Sequence, residues 1–568
     1  MKKTISFILT VCFLAAALFS CADSDVRTDT GTETQITVID TNAPGDTHEA
    51  HAAGEEKTAV PDDLQKGVNT LSVKCDEGTD NCWTFDGKTL KFSGIDSDTV
   101  CKISGDFDGN IVIDAGDDFD FELEMNGLTL FCDEKSPIAV LSGSKVTLTA
   151  KKDTRNFIYD MRKPAAEGEE SLYAVYSACD LTLGGKGELT VISASNDGIR
   201  SKDDLTVKNL TLSVACADNA LKGNDGVSIE KGELTLIARA GDGIKTSGSD
   251  VSPRGRQRGT VSLSGCAVYI FAACDGIDAA YNAEIGEDVV LDVYTDIYSP
   301  YSEITSVREN TEEDDAAEEN HEKGSYSAKG IKAANEITVT GGKLYIRSYD
   351  DSVHAEGEIE LENNERASGD VTILGGDIEI RSRDDGIHAG GKLTVLKGKI
   401  VIADCYEGIE GGTVLISGGD ISVFSRDDGI NASDLWNKGV TINGGNIFVF
   451  AGDDGIDSNS MVANKGIIFS GGNVTIIADS SAIDSDSGYV FTLGRVLAIS
   501  GCSDRSLYLS TLCSNLKYVG AWKSLSVKEG QTLAVSVNGH FARAVRMPRD
   551  ATVVAVYLSS PDAKIYVE

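Results

Sequence analysis

The residues of this chain best placed to do chemistry are carboxylates that recur in pairs just before a Gly-Ile step. Asp384-Asp385, Asp427-Asp428 and Asp453-Asp454 are the clearest, with Asp350-Asp351 and the single Asp242 and Asp275 in equivalent places. Each pair falls in a turn-like motif that returns eleven times, its aliphatic residue being Ile199, Leu221, Ile244, Ile277, Ile331, Val353, Ile387, Ile409, Ile430, Ile456 and Ile483. If copies stack, carboxylates line up one strand spacing apart and repel unless neutralised. Calcium takes about six to eight oxygens in flexible geometry, which suits carboxylates and carbonyls from neighbouring turns. On carboxylate density alone the expectation is about one to four such ions. The competing explanation is that Asp favours turns by bonding its own backbone.

The residue after each aliphatic one should point outward, because the next is small. In order it is Arg200, Lys222, Lys245, Asp278, Lys332, His354, His388, Glu410, Asn431, Asp457 and Asp484, a stripe that changes from cationic to anionic. The basic end suits direct contact with carboxylates; the acidic end needs a bridging cation. A solvated face is the plain alternative. His354, His388 and Glu410 fall in successive copies and form a weaker metal candidate.

The elements that must carry these residues are short strands. Seven of the ten intervals between motifs are 21–27 residues, and the other three (33, 54 and 34) contain insertions. Between motifs the pattern alternates with period two, as in Leu393-x-Val395 and Ile421-x-Val423, which reads as half-buried strand. Two strands plus the piece around the aliphatic residue make one turn of a three-sided coil, and many copies are needed to bury a continuous interior. Six-residue and nine-residue periods and the leucine-rich pattern are all missing, leaving an all-β, right-handed parallel β-helix with N- and C-terminal β caps. The position before the aliphatic residue is Gly in eight copies, Ala at 220 and 482, and Ser at 352, so small size at a tight corner explains it better than a left-handed backbone.

Residues 1–20 read as an export signal and Leu18-Phe19-Ser20-Cys21 resembles a bacterial lipobox, making Cys21 the lipidated N-terminus; an ordinary secretory leader is the alternative. The expectation is an extracytoplasmic, membrane-anchored protein. Residues 21–70 have few large apolar groups and read as a solvated tether. Residues 71–186 form an N-terminal cap and first coils, 187–485 the repeats, and 486–568 the last coils and a β cap. A formal charge of −39 opposes phosphate backbones and excludes a nucleic-acid partner. Cys75/Cys82 and Cys502/Cys513 are close enough for local disulfides, whereas Cys216, Cys266, Cys274 and Cys405 fall in apolar patterns and read as buried thiols. No C-x-x-C pair occurs, which argues against the usual structural zinc site.

With Asp197-Gly198-Ile199-Arg200-Ser201, Asp242-Gly243-Ile244-Lys245, Tyr406-Glu407-Gly408-Ile409-Glu410 and Asp427-Asp428-Gly429-Ile430-Asn431 in place, the chain resembles a bacterial surface family: carbohydrate-binding domain-containing proteins, with a parallel β-helix similar to that of pectate lyases. The likeness covers roughly residues 136–490. It implies calcium as cofactor and a plant cell-wall polysaccharide, including acidic pectin-like chains, as partner of a monomer. An acidic insertion near 308–323 departs from the family pattern. Sugar faces stack on flat rings, so Trp436 is the first carbohydrate contact, joined by Arg200, Lys222 and Lys245 from the basic stripe, with Tyr294, Tyr298 and Tyr301 also available. Three classes compete: a non-catalytic polysaccharide binder, a calcium-dependent lyase using Lys245, Lys222 or Lys332 as base, and a structural adhesin.

Overall fold

The computed structural model describes residues 38–39, 43–46, 48, 69–76, 82–165, 173–302, 327–357, 359–362, 365–501, 521–559 and 562–568. Residues 1–20 and Cys21, read from sequence as a leader and its lipidation site, the acidic insertion near 308–323 and the pair Cys502/Cys513 lie outside them. The described chain is all-β: 39 strands join one long mixed sheet and four more a second, with a single 3-10 turn at Asp296–Tyr298.

Ten of the eleven aliphatic residues of the motif begin a strand, most of them three residues long, such as Ile244–Thr246 or Ile430–Ala432, and pair in parallel with the same residue of the neighbouring copy; Ile483 lies outside the strands. Ile199, Leu221, Ile244, Ile277, Ile331, Val353, Ile387, Ile409, Ile430 and Ile456 thus form one unbroken ladder. A second parallel ladder runs through Val371, Leu393, Val414, Val440 and Ile467. The third runs through Ile378, Ile400, Ile421, Ile447 and Val474. All of these side chains are buried in one continuous apolar cluster. Burying a Val, Leu or Ile contributes about 1.5–3 kcal/mol, and stacking like on like fills the interior without changing its cross-section. The ladders extend into the region where the motif is lost, since Ile111, Ile138 and Val175 continue the first one up to Ile199.

Two corners use glycine for different reasons. The second Gly of several Gly-Gly steps has a left-handed backbone, with φ of 111° at Gly376, 100° at Gly419 and 92° at Gly445, where other residues are strained. The Gly before the aliphatic residue does not. There a Cβ would collide: at Gly429 it would fall 2.1 Å from Val449 Cγ1 and 2.6 Å from the Gly455 carbonyl oxygen. This is the size constraint expected from the Ala and Ser copies. Two of the long intervals are accommodated by small loops closed by the bridges Val251–Gln257 and Glu360–Arg366, and these loops touch each other through Glu362 and Ser249.

Antiparallel strands pair with the ladders at both ends. At the start, Ser72–Cys75 runs antiparallel to Thr99–Asp108. Here the disulfide differs from expectation. Cys75 bonds Cys101, not Cys82, because the antiparallel register sets Cys75 directly opposite Cys101; Cys82 Sγ lies 3.8 Å from that of Cys101. Cys216, Cys266 and Cys405 are buried thiols, while Cys274 is half-buried. At the other end, Ala551–Leu558 pairs antiparallel with Tyr489–Gly501, and a second core forms around Leu533, Val545 and Tyr557. Within the stretch read as a tether, Val38–Ile39 pairs with Ala544 and Val545.

The close approach at Gly429 gives a direct test. Gly429→Ala is expected to lower unfolding free energy by about 1–3 kcal/mol, the cost of overpacking a filled interior, measured by urea titration.

Candidate functional site

The motif brings two columns side by side. The outer column is the stripe expected from sequence, and the register confirms the neighbours: Arg200 faces Lys222, then Lys245, Asp278, Lys332, His354, His388, Glu410, Asn431 and Asp457 in turn. These side chains are half-buried, with Asn431 buried.

The second column consists of the acidic residues two places before the aliphatic one, and most are buried: Asp197, Asp242, Asp275, Asp351 and Asp385 are each at most 8% exposed. Their spacing from the next copy explains why they recur. Oδ1 of Asp242 accepts a hydrogen bond from the backbone N–H of Asp275 (2.9 Å), and Oδ1 of Asp275 from that of Lys329 (2.7 Å). The same bond joins Asp351 to Asp385, Asp385 to Glu407, Asp428 to Asp454, and Asp454 to Ser481. Asn219 substitutes for Asp within the series: its backbone N–H donates to Asp197 Oδ1, and its own Oδ1 accepts from the backbone N–H of Asp242. The carboxylate therefore satisfies the next repeat's backbone instead of its own.

The remaining oxygen turns toward the outer column, three residues on. Asp242 Oδ2 takes Lys245 Nζ at 2.6 Å, Asp351 Oδ2 takes His354 Nδ1 at 2.6 Å, and Asp385 Oδ2 takes His388 Nδ1 at 3.3 Å. Lys245 is further engaged by Asp278 (2.5 Å), and His388 by Glu410 (2.5 Å). Lys329, standing where the ladder would have Asp, reaches Asp350 (3.1 Å) and Asp351 (2.8 Å). The ionisation follows. Burial pushes Asp351 up, but the His354 hydrogen bond and Lys329 charge outweigh it and hold the carboxyl well below its usual range. Burial works against charge on His388, yet Asp385 and Glu410 push it up to about 11. Glu356 is brought down to about 2, chiefly by its contact with His354.

Toward the C-terminal end this compensation stops, because the outer column supplies Asn431 and Asp457 where it supplied Lys and His. Among the described residues no cation pairs with Glu407, Asp428, Asp454 or Asp457. Burial and mutual repulsion push Asp428 up to about 8, with Asp457, Asp427 and Asp454 as the neighbouring charges. In the same way Glu407 is pushed up to about 9, Asp457 to about 7 and Asp454 to about 6. Asn431 Nδ2 donates to Glu407, while its Oδ1 is buried without a partner.

Carboxylates expected as metal ligands gather in three clusters whose oxygens lie within 4.8 Å of one another: Asp350, Asp351 and Asp384; Asp427, Asp428 and Asp453; and Asp242 and Asp275 with Asp278. Lysine already reaches two of these sets, through Lys329 and Lys245. A further cluster joins His388 to Asp385 and Glu410. The rings of His354 and His388 stack at 4.7 Å.

Of the residues expected to meet sugar, Trp436 stands 75% exposed on an open cleft of about 560 Å³. Its backbone N–H is pinned by Asp434 Oδ1 at 2.7 Å. Lys392, Lys438 and Lys465 line the same cleft over a floor of Gly390, Gly391 and Gly412. Sequence reading did not single out these lysines, which come from separate repeats. Arg200 stacks over Tyr173 at 4.7 Å and bonds its hydroxyl, and Lys332 lies 3.9 Å from Glu356. Lys222 stands between Arg200 and Lys245; burial first, then their charges, lower its pKa. Tyr294 is buried, with Tyr298 and Tyr301 packed around it and Phe271.

A family model described as carbohydrate-binding domain-containing protein matches residues 91–366 and 400–539. A carbohydrate-binding domain-containing protein of Acetivibrio thermocellus is 30% identical over 112 residues, 19% of this chain. The chain spans 38% of that relative's length. A solved structure, a polysaccharide lyase-like protein from C. thermocellum in a gadolinium derivative, is 25% identical, covering 38% of this chain and 84% of its own at a TM-score of 0.34. With the family model spanning well over half of the residues, the chain belongs to the carbohydrate-binding domain-containing family.

Proposed function

We propose that the chain is a right-handed parallel β-helix that binds an acidic cell-wall polysaccharide without cleaving it, with calcium held at its acidic end. It would be displayed outside the cell by a lipid on Cys21. The cleft at Trp436 carries this reading: an exposed indole offers a stacking face, and three lysines around it offer charge to carboxylates. Three parallel ladders with a 21–27-residue repeat support the β-helix, and the strong preference of parallel crossovers supports its hand.

Calcium suits Glu407, Asp428, Asp454 and Asp457 because these carboxylates repel one another in a half-buried place with no paired cation. Asn431 Oδ1, buried and unpartnered among them, is a further oxygen of the right kind. The corresponding sets near Asp242 and Asp351 already hold lysine and serve as internal counter-ions.

A lyase is the second reading, and Lys222 favours it. β-Elimination needs a neutral amine to take the C5 proton while the C4–O bond breaks and the C4=C5 double bond forms. Lys245 is held protonated by Asp242 and Asp278, leaving Lys222, whose pKa is lowered, as the better base. Ultraviolet absorbance of an unsaturated uronate product on pectate, lost in Lys222→Ala, would replace the non-catalytic reading; no absorbance change is expected.

Native gels cast with polygalacturonate test the binding reading. Retardation is expected in calcium and is expected to weaken by about tenfold or more in apparent affinity for Trp436→Ala, on the scale of a lost central aromatic contact. Equal mobility with and without polysaccharide would leave a structural adhesin. The acidic end has its own signature in pH. Carboxyls that titrate near 4 when unfolded and near 8 when folded, as at Asp428, bind more protons in the native state across that window. In chelator, thermal stability is therefore expected to fall as pH rises from about 4 to about 8. Calcium or the double change Asp428→Asn with Asp454→Asn is expected to flatten that slope, read by calorimetric melting.

A further inference from the structure

The outer face of the third ladder is aromatic and basic, and the chain covers it with its own N-terminal segment. Alternation sends Val293, Ile346 and Ile380 inward, so Asp292, Tyr294, Tyr345, Arg347 and Arg381 face out. Yet Tyr294 and Tyr345 are only 5% and 4% exposed. Part of the cover is the segment around Pro44, Asp46 and His48. The Asp46 carboxylate accepts from Tyr345 Oη (3.1 Å) and from Arg347 Nη1 (2.6 Å). The His48 ring stacks on Tyr345 with centroids 3.8 Å apart and an interplanar angle of 13°, and its Nε2 lies 2.9 Å from Asp292 Oδ2. Arg381 donates to the Pro44 carbonyl at 2.7 Å.

The segment places a carboxylate beside a ring that stacks on Tyr345, and a uronate likewise carries its carboxylate on a ring whose C–H face stacks on aromatics. A face built for apolar packing would not need an arginine and a tyrosine hydroxyl converging on one carboxylate, with a second arginine on the adjoining backbone carbonyl. The cover is also incomplete. Tyr294 Oη and Arg381 Nε are buried with no hydrogen-bond partner, and two such donors are costly unless something else satisfies them. Glu379 lies 3.6 Å from Arg381, and Lys343 and Asp377 stand at the exposed start of the same two strands, so Arg347 and Arg381 are the cations nearest the segment. Arg347 is held in place over the Tyr298 ring at 4.5 Å.

We propose that Tyr345, Arg347 and Arg381 form a second, carboxylate-reading glycan site, and that Asp46 and His48 of the same chain occupy it in place of one uronate residue. This rests on the reading that the ligand is an acidic glycan and adds where a further contact is made and what competes for it. Val38–Ile39, paired with Ala544 and Val545, tethers the segment close to the site. Exposed ion pairs are individually weak, so a polyuronate with many carboxylates displaces the segment by mass action.

The test compares the full chain with its double variant Asp46→Ala/His48→Ala, titrating trigalacturonate in chelator by calorimetry. If the segment is seated about nine-tenths of the time, releasing it tightens apparent affinity about tenfold. Adding Arg347→Ala to the double variant is expected to abolish that gain. Equal affinity of the full chain and the double variant, or a gain that survives Arg347→Ala, overturns the proposal. Retardation of the unmodified chain in polygalacturonate with calcium, read in parallel, separates the two ideas. Retardation without a gain overturns this site alone, and neither retardation nor gain overturns the glycan reading as well.

Discussion

One hydrogen bond sets the terms for the rest of the structure: a buried Asp carboxylate in one repeat accepting the backbone N–H of the equivalent residue in the next. A tight corner leaves that N–H without a strand partner, and burying it unpaired would cost more than most single contacts supply. The Asp solves this but brings a charge inside. Everything beside the corner then answers that charge. A side chain three residues along, on the first outward position of the short strand, is the nearest place for a counter-ion, and Lys245, His354 and His388 fill it.

The column is therefore a structural device along part of its length and a source of excess negative charge along the rest. Lys245, His354 and His388 each take up the second oxygen of the Asp three residues before them, although burial still pushes Asp385 up to about 7. Where Asn431 and Asp457 stand instead, the same corner geometry leaves carboxyls that hold their protons near neutral pH. The difference is in the side chain and not the backbone, since the register runs through both regions unbroken. Burial supplies the energy of the effect, because the same carboxylates in water would ionise near their ordinary values.

Much of this was legible in the sequence. The spacing of the motif gave the outer column residue by residue from Arg200 to Asp457, since a period-two strand of three residues can expose only its middle member. The family likeness proved sound. The role of the Asp was harder to see: its partner is a backbone group 22 to 54 residues away, whereas turn chemistry suggests one two residues away. Cys75 with Cys101 was missed for a similar reason, because proximity in sequence favoured Cys82 while antiparallel register decided the pairing. Alternation correctly turns Tyr345 away from the core. Part of what buries it is Asp46 and His48, from a stretch whose composition promised only solvent.

The strict parallel register also limits how such a chain can change in length. Within the ladders each strand pairs only with the equivalent strands of the two neighbouring repeats, so a gain or loss of whole repeats leaves every surviving ladder matched. A change of a few residues inside a strand would turn interior side chains outward through all the bonds that strand makes. Additions are tolerated at the corners, as the loops closed by Val251–Gln257 and Glu360–Arg366 illustrate, because there no ladder is interrupted. The architecture thus separates two kinds of variation: the ladders lengthen in whole repeats, while the two loops add new surface between strands.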